Sequence, residues 1–252
     1  MKPALLRIVP ALQPGLCPFR PLLLALLLAG PLWAQTPNPE PVATRPSSPL
    51  ITFSFDFPGA VPGRYSVAVE SNGQALYRSE DTPKPDARPD EPYNLEFTVS
   101  EPTRTRLFEL AKQANYFQGD FEFNKGKIAN MGAKTLAFSD EHGSHQTQYN
   151  YSMNPAILQI TKLFQDMSST LEFNRRLVFL YRFDKLGIDA ELKNMENADK
   201  QGDLAELQVA QPILSQIAAD HGVMNVARRR ADILLHKIAS APTSSPSAPP
   251  TR

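Results

Sequence analysis

KTLAFSDEHGSHQTQYNYSMNPAILQITKLFQDMSSTLEFNRRLVFLYRFDKL, residues 134–186, is the stretch on which the fold turns. Its first third alternates. Thr135-Leu136-Ala137-Phe138 and Gln146 to Tyr151 interleave polar with apolar or aromatic residues around Glu141-His142-Gly143, the pattern of a half-buried hairpin. Asn154-Pro155 then predicts a helix start, because Asn supplies a capping oxygen and Pro at the first helical position needs no N–H partner. Ile157, Ile160, Phe164, Met167 and Leu171 follow three or four apart and form one apolar stripe suited to the inner face of the hairpin. Beyond them Phe173, Leu177, Val178, Leu180, Tyr181, Phe183 and Leu186 surround much of the helix. The expectation is a helix covered on one side by a sheet and on the other by later helices.

Working outward, strands precede this stretch and helices follow it. Ile51, Phe53, Phe55 and Phe57 alternate with Thr52, Ser54 and Asp56 until Pro58-Gly59. Such a strand belongs in a core, or at an exposed sheet edge as a ligand surface. Tyr65, Val67 and Val69 lead into Asn72-Gly73, the residue pair that a tight hairpin turn favours, and Ala75-Leu76-Tyr77 returns. Pro83, Pro85, Pro89 and Pro92 mark Thr82 to Pro92 as a long exposed loop, and Leu95, Phe97 and Val99 resume the strand pattern. Ser100 is placed to cap a helix with Pro102 in its first turn and Leu107, Leu110, Ala111 and Ala114 on its apolar face, closed by Tyr116-Phe117. Gly119, Gly126 and Gly132 interrupt the next segment, with Phe121, Phe123, Ile128 and Met131 as anchors.

After the central helix, Gly187 is a stop, Asp189 a candidate cap for a helix through Leu192 and Met195, and Gly202-Asp203 a break. Leu204, Leu207, Val209, Ile213, Leu214 and Ile217 continue, with Pro212 forcing a kink or a new start. Gly222 precedes a last helix carrying Met224, Ala227, Ala231, Leu234, Leu235 and Ile238. No heptads are sustained, so a compact bundle is expected in place of a coiled coil. The fold class is α+β: an antiparallel sheet of five to six strands with an inserted helix, followed by a C-terminal helical region packed on it.

Tyr65-Ser66-Val67-Ala68-Val69, the Asn72-Gly73 turn, Leu76-Tyr77, Phe97 to Ser100, Leu107-Phe108-Glu109-Leu110, Tyr116-Phe117 and Asn154-Pro155 resemble a small family of exported bacterial domains of unknown function, over residues 60–171. Members of that family often carry a Cys-containing loop before the first hairpin. Here Pro62-Gly63-Arg64 stands in its place, so no redox role follows from the resemblance, which implies a fold and an exported address and no activity.

The N-terminus gives the same address. Lys2, Arg7 and Arg20 precede the run Leu22 to Gly30, with no acidic residue before Glu40, as in a secretory signal peptide. Residues 1–34 are read as that leader with cleavage after Ala34, an uncleaved anchor being the alternative. Cys17 precedes the apolar run and follows Leu16, which does not suit lipidation, and a chain cut after Ala34 has no cysteine. Such a chain relies on its core alone. The whole sequence has 26 basic and 26 acidic residues, so losing three basic residues leaves it acidic and disfavours a nucleic-acid partner. Residues 35–49 form a Pro-rich linker, 50–171 the sheet domain, 172–240 a helical extension and 241–252 a second Pro-rich, disordered tail. No transmembrane span is expected once the leader is removed.

For chemistry, Asp140, Glu141, His142 and His145 are the one cluster with metal-ligand residue types, although a hairpin turn places polar residues there anyway. Ser144 and His145 are adjacent on a strand and point to opposite faces, so they cannot share a proton. His221 and His236 are read as residues at helix ends, and Arg228-Arg229-Arg230 as a solvated face. Nucleophile-elbow, phosphate-loop, zinc-helix and dinucleotide motifs are absent from the sequence. No catalytic residue and no cofactor is assigned. The first expectation is an exported, non-catalytic binding or envelope-associated protein with an unknown protein or envelope component as partner. The alternatives are a metal-dependent hydrolase using Asp140, His142 and His145, and an inhibitor of an exported enzyme presenting the loop Thr82 to Pro92.

Overall fold

Alternation of apolar residues becomes a six-stranded sheet in the computed structural model, which describes residues 48–80 and 92–240. The leader, most of the Pro-rich linker, the loop after Glu80 and the tail lie outside the described residues. The strands are β1 (Leu50–Asp56), β2 (Arg64–Glu70), β3 (Gln74–Glu80), β4 (Tyr93–Thr98), β5 (Ala133–Ser139) and β6 (Ser144–Tyr149), in spatial order β4-β3-β2-β1-β5-β6. All neighbours are antiparallel. The Phe strand is central, so its aromatic residues belong to the core and not to an exposed edge. Phe53 faces Val67 on one side and Leu136 on the other.

One face of this sheet is covered. Ile51, Phe53, Val67, Val69, Tyr77 and Leu136 are fully buried, while Thr52, Ser54, Ala68 and Thr135 on the other face are half-buried. The cover consists of α1 (Glu101–Gln113), inserted between β4 and β5, and the first half of α2 (Pro155–Phe183). Asn154 caps α2 as its sequence predicts, Oδ1 accepting the N–H groups of Ala156 at 2.9 Å and Ile157 at 3.2 Å. The predicted stripe Ile157, Ile160, Phe164, Met167 and Leu171 is wholly buried, with the Phe164 ring stacked 5.2 Å from that of Phe53. No helix among the described residues is long and apolar enough to cross a membrane.

From Phe173 onward a second apolar cluster begins. Phe173 and Leu177 of α2 pack with α3 (Ile188–Gln201), α4 (Gln211–Ala219) and α5 (Asn225–Ser240), whose buried residues include Leu192, Met195, Leu214, Ile217, Ala231 and Leu234. One helix therefore carries two cores end to end. It is not sandwiched along its length, because the sheet ends before the helix does, and Val178, Phe179, Phe183 and Leu186 stand in water.

Local capping differs from expectation at two helix starts. Ser100 sits at the N-cap of α1, but its hydroxyl donates to Glu206 Oε1 at 2.8 Å and its N–H to Oε2 at 2.7 Å, so a carboxylate 106 residues away holds this end. Gly187, not Asp189, occupies the N-cap of α3, and Asp189 instead accepts from Arg230 Nε at 2.8 Å. That contact also corrects the reading of the arginine run. Arg230 bridges Asp189 and Glu196, and Arg228 donates to the Ala218 carbonyl, leaving Arg229 as the exposed member. Pro212 starts α4 as a new helix after a short 3₁₀ turn. Met131 is no anchor; half of it is exposed.

Candidate functional site

Helix α1 buries Leu107, Leu110 and Ala111 and so turns Arg104, Phe108 and Lys112, each four residues apart, along a different line. That line forms one wall of a groove of about 530 Å³ whose far side is Pro49, Ser71, Phe138 and Asp140 at one end of the central strands. The floor is aromatic. Tyr116 lies with its ring centroid 4.7 Å from that of Phe138, beside Phe108.

An unusual backbone holds Tyr116 there. Asn115, Tyr116 and Phe117 have φ of 49°, 51° and 66°, three consecutive non-glycine residues in the left-handed region. Each costs roughly 1–2 kcal/mol, since Cβ crowds the following carbonyl. The turn persists because the Phe117 side chain is fully buried and its N–H reaches the Ala114 carbonyl at 3.0 Å, while the Tyr116 ring rests on Phe138. Strain over-determined by packing is a frequent mark of a binding surface.

The charges at the groove are unevenly committed. Asp140 spends Oδ1 on the N–H groups of His142 and Gly143, at 2.8 and 3.0 Å, and Glu109 lies 3.8 Å from Arg106. Arg104 has only a marginal contact, 4.0 Å, with Glu101, and Lys112 has no carboxylate within ion-pair distance among the described residues. The rim carries two cations, Arg104 and Lys112, and two carboxylates, Glu109 and Asp140, above an aromatic floor. Such a surface takes an apolar, flat or extended group, with charged groups at hand to set its register.

Of the residues singled out in the sequence for chemistry only Asp140 lines this groove, and they do not converge. Asp140 shapes the hairpin turn, exposed His142 pairs only with neighbouring Glu141 at 3.4 Å, and His145 meets the Gln118 side chain at 2.9 Å. Among the described residues no group of three or more His, Cys, Asp or Glu side chains is placed to hold a metal ion. His221 and His236 are exposed.

Besides Glu196 and Glu206, two further charged groups, Glu172 and Lys134, are buried among the described residues. Glu172 on α2 is almost fully buried; Oε1 accepts from Tyr77 and Ser79 at 2.8 Å each, and Oε2 lies 3.1 Å from Arg175 Nε. Burial, and next the adjacent carboxylate, push the Tyr77 hydroxyl far above its ordinary pKa. Glu172 also borders a smaller cleft of about 290 Å³ with Ser168, Tyr65 and Arg176; Oε1 is committed to the sheet, which makes the residue a bolt between layers, while buried Oε2 faces Arg175 without a hydrogen bond. Lys134 faces inward in register with Leu136 and Phe138, and its Nζ donates to the carbonyls of Met131, Gly132 and Asn150 at 2.9–3.0 Å. Burial lowers its pKa, with Glu122 opposing. A signal for Lys134 existed in the two-residue period, which puts it on the apolar face. The left-handed turn had none, because no glycine marks it.

No protein-family model matches the chain, and no curated protein matches it.

Proposed function

We propose that this is an exported, non-catalytic binding protein of the periplasm or cell envelope, whose ligand is an extended polypeptide segment rich in proline or other apolar residues and bearing an acidic side chain. The observation that carries the reading is the aromatic floor of Phe108, Tyr116 and Phe138 below Arg104 and Lys112. Proline-rich segments dock in aromatic-lined grooves because they are already extended and lose little entropy on binding. Arg104 and Lys112 add register, pairing with one carboxylate of the ligand. Export rests on the basic start and leucine run of residues 1–34, and the resemblance to exported bacterial domains agrees with it.

The test is titration of the purified protein with proline-rich peptides that differ only in carrying Glu or Gln, followed by calorimetry. Binding should require the acidic peptide and fall about tenfold or more in Phe108→Ala and in Lys112→Glu. Lys112 is exposed, so its variant should melt near the parent, whereas Phe108 packs against the sheet-side core and Phe108→Ala is compared at a temperature well below its own unfolding. Equal affinity for the Glu and Gln peptides, or binding untouched by Phe108→Ala, would remove the groove from the reading. Mass spectrometry of the protein from envelope fractions tests the address separately: an N-terminus near Gln35 is expected, and an intact Met1 in a cytoplasmic pool would overturn it.

A further inference from the structure

The stretch between α3 and α4 belongs to both cores. Ala205 and Val209 pack against the sheet-side cluster, and Leu204, Leu207 and Ala210 join the helical one. Between them Glu206 is 7% exposed and has φ of 59°, a left-handed conformation in which its Cβ crowds the following carbonyl. The backbone is pinned on both sides. The Val209 N–H donates to the Glu206 carbonyl at 3.0 Å, and the Ala205 N–H reaches the Asp166 carbonyl of α2 at 3.3 Å.

A buried carboxylate is tolerated only where donors meet it, and the start of α1 supplies them. Glu206 takes the Ser100 N–H at 2.7 Å and the Ser100 hydroxyl at 2.8 Å, and the Gln208 side chain donates to it as well. Ser100 makes no side-chain bond to the N–H groups of its own helix, so the hold on this helix end comes from the extension.

The same end of α1 carries one side of the groove. The Ser100 carbonyl accepts the Arg104 N–H at 2.9 Å, and Arg104 and Thr105 line the groove one turn on. The Arg104 side chain crosses the turn between β2 and β3, where a Cβ placed on Gly73 would lie 3.7 Å from Arg104 Cδ, and the Val99 N–H donates to the Gly73 carbonyl at 2.9 Å. Ser71 of that turn lines the opposite side. The spacing of the two walls here depends on where the first turn of α1 stands. We infer that Glu206 is a positioning residue for the groove: from the helical extension it holds the first turn of α1, and with it Arg104 and Thr105, against the Ser71 side, so that the groove keeps its shape only while the extension is docked. The inference rests on reading the groove as a ligand site, and it links ligand binding to docking of the extension, each favouring the other.

The experiment is native-state hydrogen exchange and calorimetry on the purified full chain, with a synthetic proline-rich peptide bearing one Glu as the probe. Glycine adopts φ of 59° freely, so Glu206→Gly removes the carboxylate without straining the extension. Protection should fall at least about tenfold at the amides of Ser100 and Arg104 and stay nearly unchanged at those of Leu110 and Ala111, towards the far end of α1. Peptide affinity should fall about fivefold or more, although Glu206 does not line the groove. Glu206→Gln, which keeps the side chain and loses its charge, should give the same pattern at a smaller size. Adding Ser100→Asp to Glu206→Gly gives α1 a cap of its own and should restore both readings to within about threefold of the parent, a rescue that a merely supporting role for Glu206 would not produce. Protection lost evenly through α1 and β5, or an affinity loss that Ser100→Asp leaves in place, overturns the inference. A parent that binds no such peptide removes the groove reading and the inference with it, whereas a binding parent whose Glu206→Gly variant keeps its affinity and first-turn protection removes the inference alone.

Discussion

Replacing Glu172 is the sharpest test of how the two cores are joined. The residue sits where the sheet-side cluster gives way to the helical one, between Leu171 of the first and Phe173 of the second. Its carboxylate is 3% exposed, receives hydroxyls from Tyr77 and Ser79 on β3, and lies beside Arg175. Hydrogen bonds to a charged acceptor contribute about 1.5–3 kcal/mol each, and Glu172 accepts two of them from buried hydroxyls. Glu172→Ala should therefore lose about 3–5 kcal/mol, a large share of the roughly 5–15 kcal/mol of an ordinary domain. Tyr77→Phe should lose about 1.5–3 kcal/mol, since Ser79 and Arg175 remain with the carboxylate. Urea unfolding followed by circular dichroism measures both, and a double-mutant cycle of Tyr77→Phe with Glu172→Ala isolates the Tyr77 contact. A loss under about 1 kcal/mol for Glu172→Ala, or a coupling of zero in the cycle, would refute the assignment of this carboxylate as the pin between β3 and α2.

Alkali should destabilise the fold through its buried tyrosines. Burial pushes Tyr149 up to about 12 and Tyr65 and Tyr77 higher, so their contribution is complete below the unfolded value near 10 and is lost as pH rises above it, by about 1.4 kcal/mol per pH unit and group. The tyrosinate absorbance of Tyr65, Tyr77 and Tyr149 should lag until unfolding, and Tyr149→Phe should flatten the slope by one group; early titration of all seven tyrosines would contradict the burial. Gly132→Ala should cost about 2–4 kcal/mol, because φ is +88° and the new Cβ would lie 2.6 Å from the Phe55 ring; a change under about 0.5 kcal/mol in denaturant would show that β5 starts differently. Replacing His142 and His145 with Ala should leave the melting temperature unchanged with or without zinc, and a large zinc-dependent shift in the parent would restore the hydrolase reading.

The candidate site was much less legible than the fold. Phe108 and Phe138 were visible as apolar residues on a helix and a strand, yet nothing in their spacing brings one to the other across the end of a sheet. Tyr116 was read as the close of a unit, and its place in the groove depends on a left-handed turn that no glycine announces. Asp140 drew notice as a metal-ligand type, whereas its oxygen is used two and three residues away on backbone N–H groups.

What the sequence determined is whatever depends on neighbours a few residues apart. The two-residue period set the strands and their inward faces, Asn72-Gly73 the hairpin, Asn154-Pro155 the start of α2, and Pro212 the start of α4. What only the tertiary structure decided is which surface meets which. The apolar stripe of α2 looks much the same on either side of Leu171, but the first half lies under a sheet of limited extent and the second passes beyond it, so Phe164 is in a core and Phe183 in water. Tyr77 finds Glu172 across 95 positions and Ser100 finds Glu206 across 106. Periodicity records that a face is apolar or that a charge faces inward; the partner that covers or neutralises it is fixed only when distant elements dock.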